Sequence, residues 1–186
     1  EISNVHGNAQ MQGTQIVVDE MEFNQGDGSC KLQATADTST KSLDGNLVVS
    51  NFDIPELCQL AGYKTKFLTG KLNSEIDLGG TMENPSANLV GNISEGTLSG
   101  YNLHDVNFEL NLLNKIIYVN KLEGFQGEEG NFNLSGTANL NGPLDLNFTS
   151  EKLDLGIIPA TAGMENSEAT GDFSINAKVG GIIDNP

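Results

Sequence analysis

An internal repeat is the feature that most constrains the fold of this chain. Residues 79–85 read GGTMENP, and residues 180–186, 101 positions later, read GGIIDNP. Glycine reaches positive φ without a Cβ clash, and proline keeps the residue before it out of the helical region. Both segments therefore predict a turn that ends a strand. The chain contains two copies of one repeat unit, so both copies are expected to adopt the same fold.

The same offset of 101 holds far from these turns. It relates the following pairs: Thr69-Gly70 and Thr170-Gly171, Gln25-Gly26 and Gln126-Gly127, Ile16 and Ile117, Val18 and Val119. Between Asp27 and Asn51 the offset drifts: Leu32 matches Leu134 at 102, and Leu47 matches Leu146 at 99. The sequence predicts one repeat unit in 1–86, partial at its start, and a second in 87–186, within one continuous β structure. Because the chain begins and ends inside its repeat, we expect it to be part of a longer array.

Strict alternation of apolar and polar residues predicts strands throughout both copies. In the segment 106–112, for example, Val106, Phe108 and Leu110 alternate with asparagine and glutamate. Period two with one apolar face is the pattern of a β-strand. Turn clusters rich in glycine separate about six such segments per unit, so neighbouring strands are expected to be mainly antiparallel. The fold class predicted is all-β.

A single short helix interrupts this pattern in the first copy. Asp53 is suited to the N-cap, Pro55 to the first turn and Gly62 to the C-terminal stop. Leu57, Leu60 and Ala61 are expected to face inward. The second copy keeps Asp154, Pro159 and Gly163 but has weaker helical periodicity.

The composition limits how the apolar strand faces can be covered. Hydrophobic residues are 37% of the chain, aromatic residues 6%, tryptophan is absent and glycine reaches 22 residues. A dense core of large side chains is therefore not available, and no long helix can cover the sheet. The sheet must cover itself, either as a closed β-sandwich or as an elongated sheet curled into a trough with an apolar groove. Sequence alone leaves both open.

The charge balance excludes one class of partner. Nine Lys and Arg face 25 Asp and Glu, a net charge of -16. Such a chain repels phosphate backbones, so nucleic acid is not an expected partner. The acidic residues alternate with apolar ones, which is typical of a solvated outer face.

Two further predictions concern reactive groups. Cys30 lies in strand register with apolar residues and Cys58 lies in the helical segment, so we expect two unbridged thiols. His6 and His104 are the only histidines, and they do not occupy equivalent positions.

Neither a catalytic arrangement, nor a metal site, nor a cofactor motif is found, and the chain is not expected to be an enzyme. No apolar run approaches the ~20 residues of a membrane span.

Two segments resemble the repeated core of the TamB and AsmA-like superfamily. They are 68–91, LTGKLNSEIDLGGTMENPSANLVG, and 168–186, EATGDFSINAKVGGIIDNP. In that family a strand, Gly-Gly or Gly-Thr, two residues, Asn-Pro and another strand recur through a long periplasmic region. The helical segment 53–62 departs from that pattern, and it is expected to cap the groove locally.

The resemblance implies a taco-like sheet within a bridge that is anchored in the inner membrane outside this segment and spans the periplasm toward the outer membrane of a diderm bacterium. It implies conduction of phospholipids, with their acyl chains as partners in the groove. The alternatives are a docking or chaperone surface for assembly or secretion of outer-membrane β-barrel proteins and autotransporters, and a structural spacer. An outer-membrane β-barrel of the assembly machinery is the protein partner implied.

The alternation also predicts which residues line the groove. The expected lining is Leu72, Ile76, Leu78, Leu89, Ile93, Phe108, Leu110, Leu112, Phe132, Leu134, Leu146, Phe148, Phe173, Ile175 and Val179. Their strand neighbours are expected to face solvent: Asn73, Glu75, Asp77, Glu109, Asn111, Asn133, Asn147 and Asp172.

Overall fold

A computed structural model describes residues 3–60, 62, 65, 67–161 and 169–182. These residues form eleven strands and two short helices. In chain order they are β1 (Ser3–Gln12), β2 (Gln15–Gln25), β3 (Gly28–Asp37), β4 (Leu43–Asp53), α1 (Ile54–Leu60), β5 (Leu68–Gly80), β6 (Pro85–Leu98), β7 (Tyr101–Leu113), β8 (Ile116–Gln126), β9 (Gly130–Asn139), β10 (Pro143–Asp154), α2 (Ile157–Thr161) and β11 (Asp172–Ile182).

All eleven strands belong to one sheet, and each pairs antiparallel with its neighbours in the chain. The strands stand in sequence order from β1 to β11, so β1 and β11 are the two edges and the sheet is not closed into a barrel. The prediction of an all-β, antiparallel, elongated sheet is confirmed. The alternative, a sandwich of two sheets, is not formed in the described part of the chain.

The predicted Gly-Gly turn has the backbone that its sequence requires. Gly80 has φ of 83°, and its counterpart Gly181 has 96°. After Gly80, Thr81 and Asn84 exchange backbone hydrogen bonds of 3.2 and 3.1 Å, which closes the turn into β6. The end of the second turn, residues 183–186, lies outside the described residues.

Helix α1 begins and ends close to the predicted positions. The Asp53 carboxylate accepts a hydrogen bond from the Glu56 amide at 3.4 Å, which is the N-cap contact. Gly62 has φ of 84° and follows the helix. One detail of the prediction is wrong: Leu60 does not face inward but is 48% exposed, because the helix buries Ile54 and turns its last residue outward. Ala61 lies outside the described residues.

The second copy also forms a helix, although its periodicity is weak. Helix α2 has five residues, and Asp154 before it accepts a hydrogen bond from the Gly156 amide at 2.8 Å. In each copy a glutamine at the end of a strand holds the chain just before the helix. Gln25 accepts from the Asp53 amide at 3.1 Å, and Gln126 accepts from the Asp154 amide at 2.7 Å. Gly163 lies outside the described residues.

The backbone repeats as the sequence does. Residues with positive φ sit at two bulges of the first copy, Asn4 and Asn51, and 101 positions later at Asp105 and Lys152. A bulge bends its strand and increases its twist. The sheet is therefore bent at matching places in both copies. The division predicted after residue 86 falls within β6.

Two clusters of buried side chains lie at the end of the strands that carries both helices. One consists of Ile54, Ile93, Leu103 and Val106, and the other of Cys30, Val49 and Phe52. Helix α1 joins both, through Ile54 and Cys58 in the first and Leu57 in the second. This end of the strands is called the helix end below, and it contains both clusters of buried side chains.

The two thiols are free, as predicted. Cys30 is buried in the second cluster, and Cys58 is half-buried on α1 beside the first. Burial raises the pKa of the Cys30 thiol to about 11, because the thiolate would lose its hydration there.

Candidate functional site: an open apolar face

A row of apolar residues crosses the whole sheet on one face. Residues directly opposite each other on neighbouring strands point to the same face, so the row can be followed through the strand pairs. It is called the central row and consists of Gly7, Met21, Leu32, Leu47, Ile76, Leu89, Leu110, Val119, Gly136, Leu146 and Val179. No member carries a charge or a polar side chain.

A second row runs beside the first, further from the helices. It is called the outer row and consists of Ala9, Val18, Ala34, Gly45, Leu78, Ala87, Leu112, Ile117, Ala138, Leu144 and Gly181. Ten strand spacings of ~4.8 Å make each row ~48 Å long. The two rows form a continuous apolar stripe along the sheet.

The fifteen predicted lining residues all lie on this face. Five are in the central row and two in the outer row. The other eight lie toward the helix end: Leu72, Ile93, Phe108, Phe132, Leu134, Phe148, Phe173 and Ile175. Ile93 is buried, Leu78 and Ile175 are exposed, and the remaining twelve are half-buried.

Helix α1 covers one end of this face and leaves the stripe uncovered. Leu72, Ile93, Phe108 and Phe132 pack in or against the first cluster. The central row contributes only Leu47 to either cluster. Helix α1 thus lies along one end of the strands and does not cross the stripe.

Sequence reasoning missed apolar members of the same face. Met21, Leu47, Val119, Ile117 and Leu144 belong to the two rows but were not among the expected lining residues. The alternation in β2, β4, β8 and β10 is the signal that could have found them. Bulges between Val18 and Met21 in β2 and between Val119 and Glu123 in β8 shift that alternation, which hides the pattern.

The opposite face of the sheet is mainly polar and carries cross-strand hydrogen bonds, although Val48, Val90 and Phe125 are exposed there. The Asn46 amide donates to the Asp77 carboxylate at 2.8 Å, and the Asn111 amide donates to Asn88 at 2.8 Å. The eight residues predicted to face solvent lie on this side. Five are exposed, whereas Asn73, Asn111 and Asn133 are half-buried. The sheet is therefore amphipathic, with water on one face and apolar side chains on the other.

His104, whose two ring nitrogens both have hydrogen-bond partners, lies on the polar face, away from the stripe. His104 contacts the Asp105 carboxylate through Nδ1 at 2.9 Å and the Gly127 carbonyl oxygen through Nε2 at 2.8 Å. The hydrogen bond to Asp105, followed by that to Gly127, raises the pKa of His104, because both partners accept from the protonated ring. The ring stacks on Phe125 with centroids 5.2 Å apart.

The described residues show neither a cluster of metal ligands nor a helix that could span a membrane. No three His, Cys, Asp or Glu side chains come together there as a metal site would require. In that part of the chain no helix has the length and apolar character needed to cross a membrane.

Comparisons with protein-family models, with characterised proteins and with solved structures find no match to this chain. The resemblance to the TamB and AsmA-like superfamily, and the localisation that it implies, stay predictions.

Proposed function

We propose that the open apolar face binds phospholipid acyl chains and conducts them along the sheet. The observation that carries this proposal is the central row, which is apolar across eleven strands and, apart from the buried Val119, only partly covered by the protein. A partly exposed apolar surface that extends across the sheet is expected to bind an apolar partner. In this proposal the chain is a binding module and not an enzyme.

The dimensions of the stripe support an acyl chain as the occupant. One leaflet contributes about half of the ~30 Å hydrocarbon thickness of a bilayer. A stripe of ~48 Å therefore exceeds the length of one acyl chain, so lipids can lie along it in succession. Burial stabilises by ~0.8 kcal/mol for each CH₂ group, so ten buried groups contribute about 8 kcal/mol.

The setting that we propose is a periplasmic bridge between the inner and outer membranes of a diderm bacterium. It follows from the resemblance of residues 68–91 and 168–186 to the TamB and AsmA-like repeats. A conduit between two membranes needs a continuous apolar path and a water-soluble exterior. The amphipathic sheet fits both requirements.

A second candidate function is a docking surface for an extended polypeptide. It is favoured by the two edge strands, since β1 and β11 each pair on one side only within the described sheet. A free edge offers unpaired backbone groups to an incoming strand. A purely structural spacer is the third possibility, and it would bind neither lipid nor peptide.

Mass spectrometry of the purified chain tests the proposal. We expect phospholipid to co-purify from a bacterial host and to exchange for a fluorescent phospholipid added in excess. A folded chain that carries no phospholipid and does not take up the fluorescent one would refute the proposal. Binding of a strand peptide by such a lipid-free chain would favour the docking surface.

A further inference from the structure

The polar face of the sheet carries a groove in which an aromatic ring is exposed among side-chain amides. The groove lies across β5 to β8, at the end of the strands away from the helices, and has a volume of about 550 Å³. It is called the amide groove and extends from Gly79 on β5 to Asn120 on β8. Its volume is within the range of ~300–1,000 Å³ that is usual for small-ligand sites.

The apolar part of the amide groove belongs to the second copy of the repeat alone. Leu113 and Tyr118, which line it, are 50% and 36% exposed. Their counterparts 101 positions earlier are Gln12 and Val17, in a hairpin of the same kind. The fold therefore does not require a tyrosine ring at this place. A tyrosine whose ring stays in contact with water offers a ligand an apolar surface beside a polar one.

Three asparagines of the groove form an ordered array of hydrogen bonds. The Asn120 amide donates to Asn111, and the Asn111 amide donates to Asn88 at 2.8 Å. Within the part of the chain that the structure describes, the amide nitrogen of Asn88 and the amide oxygen of Asn120 have no hydrogen-bond partner. The array thus ends in a free donor on β6 and a free acceptor on β8, two strand spacings or ~10 Å apart.

A β-bulge supplies one end of this array. Leu110 pairs with Val119 and Glu109 with Lys121, so Asn120 is the extra residue of the bulge. Bulges redirect side chains and are frequent beside functional sites. The bulge of the first copy places Asp19 at the equivalent position, where it accepts a hydrogen bond from Gln10 at 3.0 Å. The second copy therefore has a neutral amide where the first has a charge.

We propose that the amide groove is a binding site for a neutral saccharide. A sugar hydroxyl both donates and accepts hydrogen bonds, so one ligand can satisfy the free donor of Asn88 and the free acceptor of Asn120. The C–H face of a pyranose ring packs on the exposed ring of Tyr118. The neighbouring carboxylate of Asp77 and the net charge of -16 repel acidic sugars and phosphates.

The position of the groove separates this ligand from the other candidates. Strands β5 to β8 are each paired on both sides, so no backbone groups are free there to bind a peptide strand. The apolar stripe is on the opposite face of the sheet. Saccharide and lipid can therefore bind at the same time, and the saccharide site does not depend on the proposed conduction of lipid.

The test titrates the 186-residue chain with three neutral hexasaccharides: cellohexaose, maltohexaose and N-acetylated chitohexaose. We expect at least one to bind with a Kd of about 1 mM or tighter in isothermal titration calorimetry. In NMR spectra it should shift the side-chain amide signals of Asn88 and Asn111 and the ring signals of Tyr118. Hexagalacturonate, which is anionic, is the control ligand and should not bind. Binding of none of the three, equal binding of hexagalacturonate, or shifts confined to other parts of the sheet would each overturn the proposal.

Two variants remove the groove by different means. Tyr118→Val introduces the residue of the first copy, so it should fold and bind the saccharide about tenfold more weakly, because the ring surface is lost. Gly79→Val fills the groove. A Cβ at Gly79 meets only the Ser86 hydroxyl, at 3.2 Å, so this variant should also fold and lose binding. Full binding by either variant in its folded form would contradict the proposal.

Phe125→Ala is the matched control, because it removes an exposed aromatic ring from the same face outside the groove. It should bind the saccharide as the unaltered chain does, and a loss as large as that of Tyr118→Val would overturn the assignment. Ile76→Asp in the apolar stripe separates the two functions. Saccharide binding should persist in this variant when lipid is lost, and its loss from the folded variant would contradict a site on the polar face.

Discussion

A charge placed in the central row tests whether that face carries lipid. The change is Ile76→Asp in β5, with Leu110→Asp in β7 as an independent repeat of the experiment. Both residues are half-buried and neither belongs to the two buried clusters. We expect the variants to fold and to lose lipid.

The expected losses of stability and of lipid affinity follow from what covers the side chain of residue 76 without lipid and with lipid bound. Without lipid the side chain is half-buried, so losing it removes about half of the ~1.5–3 kcal/mol of a fully buried aliphatic side chain, or about 1 kcal/mol. A domain stability of ~5–15 kcal/mol tolerates that loss. Under an acyl chain the carboxylate loses its water, which costs ~2.5–3.5 kcal/mol. Lipid affinity should therefore fall about a hundredfold.

The assay measures thermal unfolding and fluorescent phospholipid binding on the same preparations, at pH 8 to keep the carboxylate ionised. Asp77→Asn is the control on the opposite face, and it should bind lipid as the unaltered chain does. Leu72→Asp is the core control: Leu72 packs against both clusters, so this variant should unfold. Full lipid binding by a folded Ile76→Asp variant would refute the conduit. Unfolding of both Ile76→Asp and Leu110→Asp would show that the row is packed core.

Three further predictions concern buried and titrating groups. Ser150 is 4% exposed and its hydroxyl has no hydrogen-bond partner among the described residues, whereas the hydroxyl of Ser74, 6% exposed, donates to Val90 O at 3.0 Å. Ser150→Ala should therefore stabilise the fold and Ser74→Ala destabilise it, each by about 1 kcal/mol in urea unfolding, and equal signs would contradict this reasoning. The pKa of His104 is raised, so its contribution to stability is fully present below pH 6.5 and is lost as pH rises through the raised value. NMR titration should place the His104 midpoint above 6.5, and the pH dependence of the unfolding temperature should flatten in His104→Gln. A thiol reagent should find Cys30 protected in the native protein and two free thiols after denaturation, whereas a count of zero would reveal a disulfide.

The sequence predicts the class of this fold well because strands reveal themselves by alternation. The apolar positions 106, 108, 110 and 112 fix both the strand and its buried face, and the Gly-Gly turns fix where strands end. The fifteen lining residues could be placed on one face for the same reason. Local sequence signals also located α1, because the N-cap contact of Asp53 and the positive φ of Gly62 involve only residues close by in the chain.

Long-range packing is what the sequence could not supply. Which end of the strands becomes core depends on where α1 folds back, and no local pattern records that. The outward turn of Leu60 has the same origin, because Ile54 takes the place against the sheet. Helix α2 forms where periodicity is weak. There Gln126 holds the Asp154 amide and fixes the chain just before the helix.

The unit that repeats in this sheet is the cross-strand pair and not the single residue. In the first copy Val49 lies opposite Ser74, and in the second Ser150 lies opposite Ile175. Each pair has one serine and one β-branched aliphatic residue, in exchanged places.

Pairs on the apolar face behave in the same way. The pair of Leu47 and Ile76 becomes Phe148 and Ala177, so a larger residue on one strand accompanies a smaller one on the next. Close packing on one face conserves the summed volume of neighbours while it lets each position vary. This explains why the backbone register repeats in pair after pair while residue identities match at only some positions. It also means that the apolar faces of the two copies differ in shape, because a large side chain on one strand in the first copy is replaced by a large side chain on the neighbouring strand in the second. No charged residue interrupts either face.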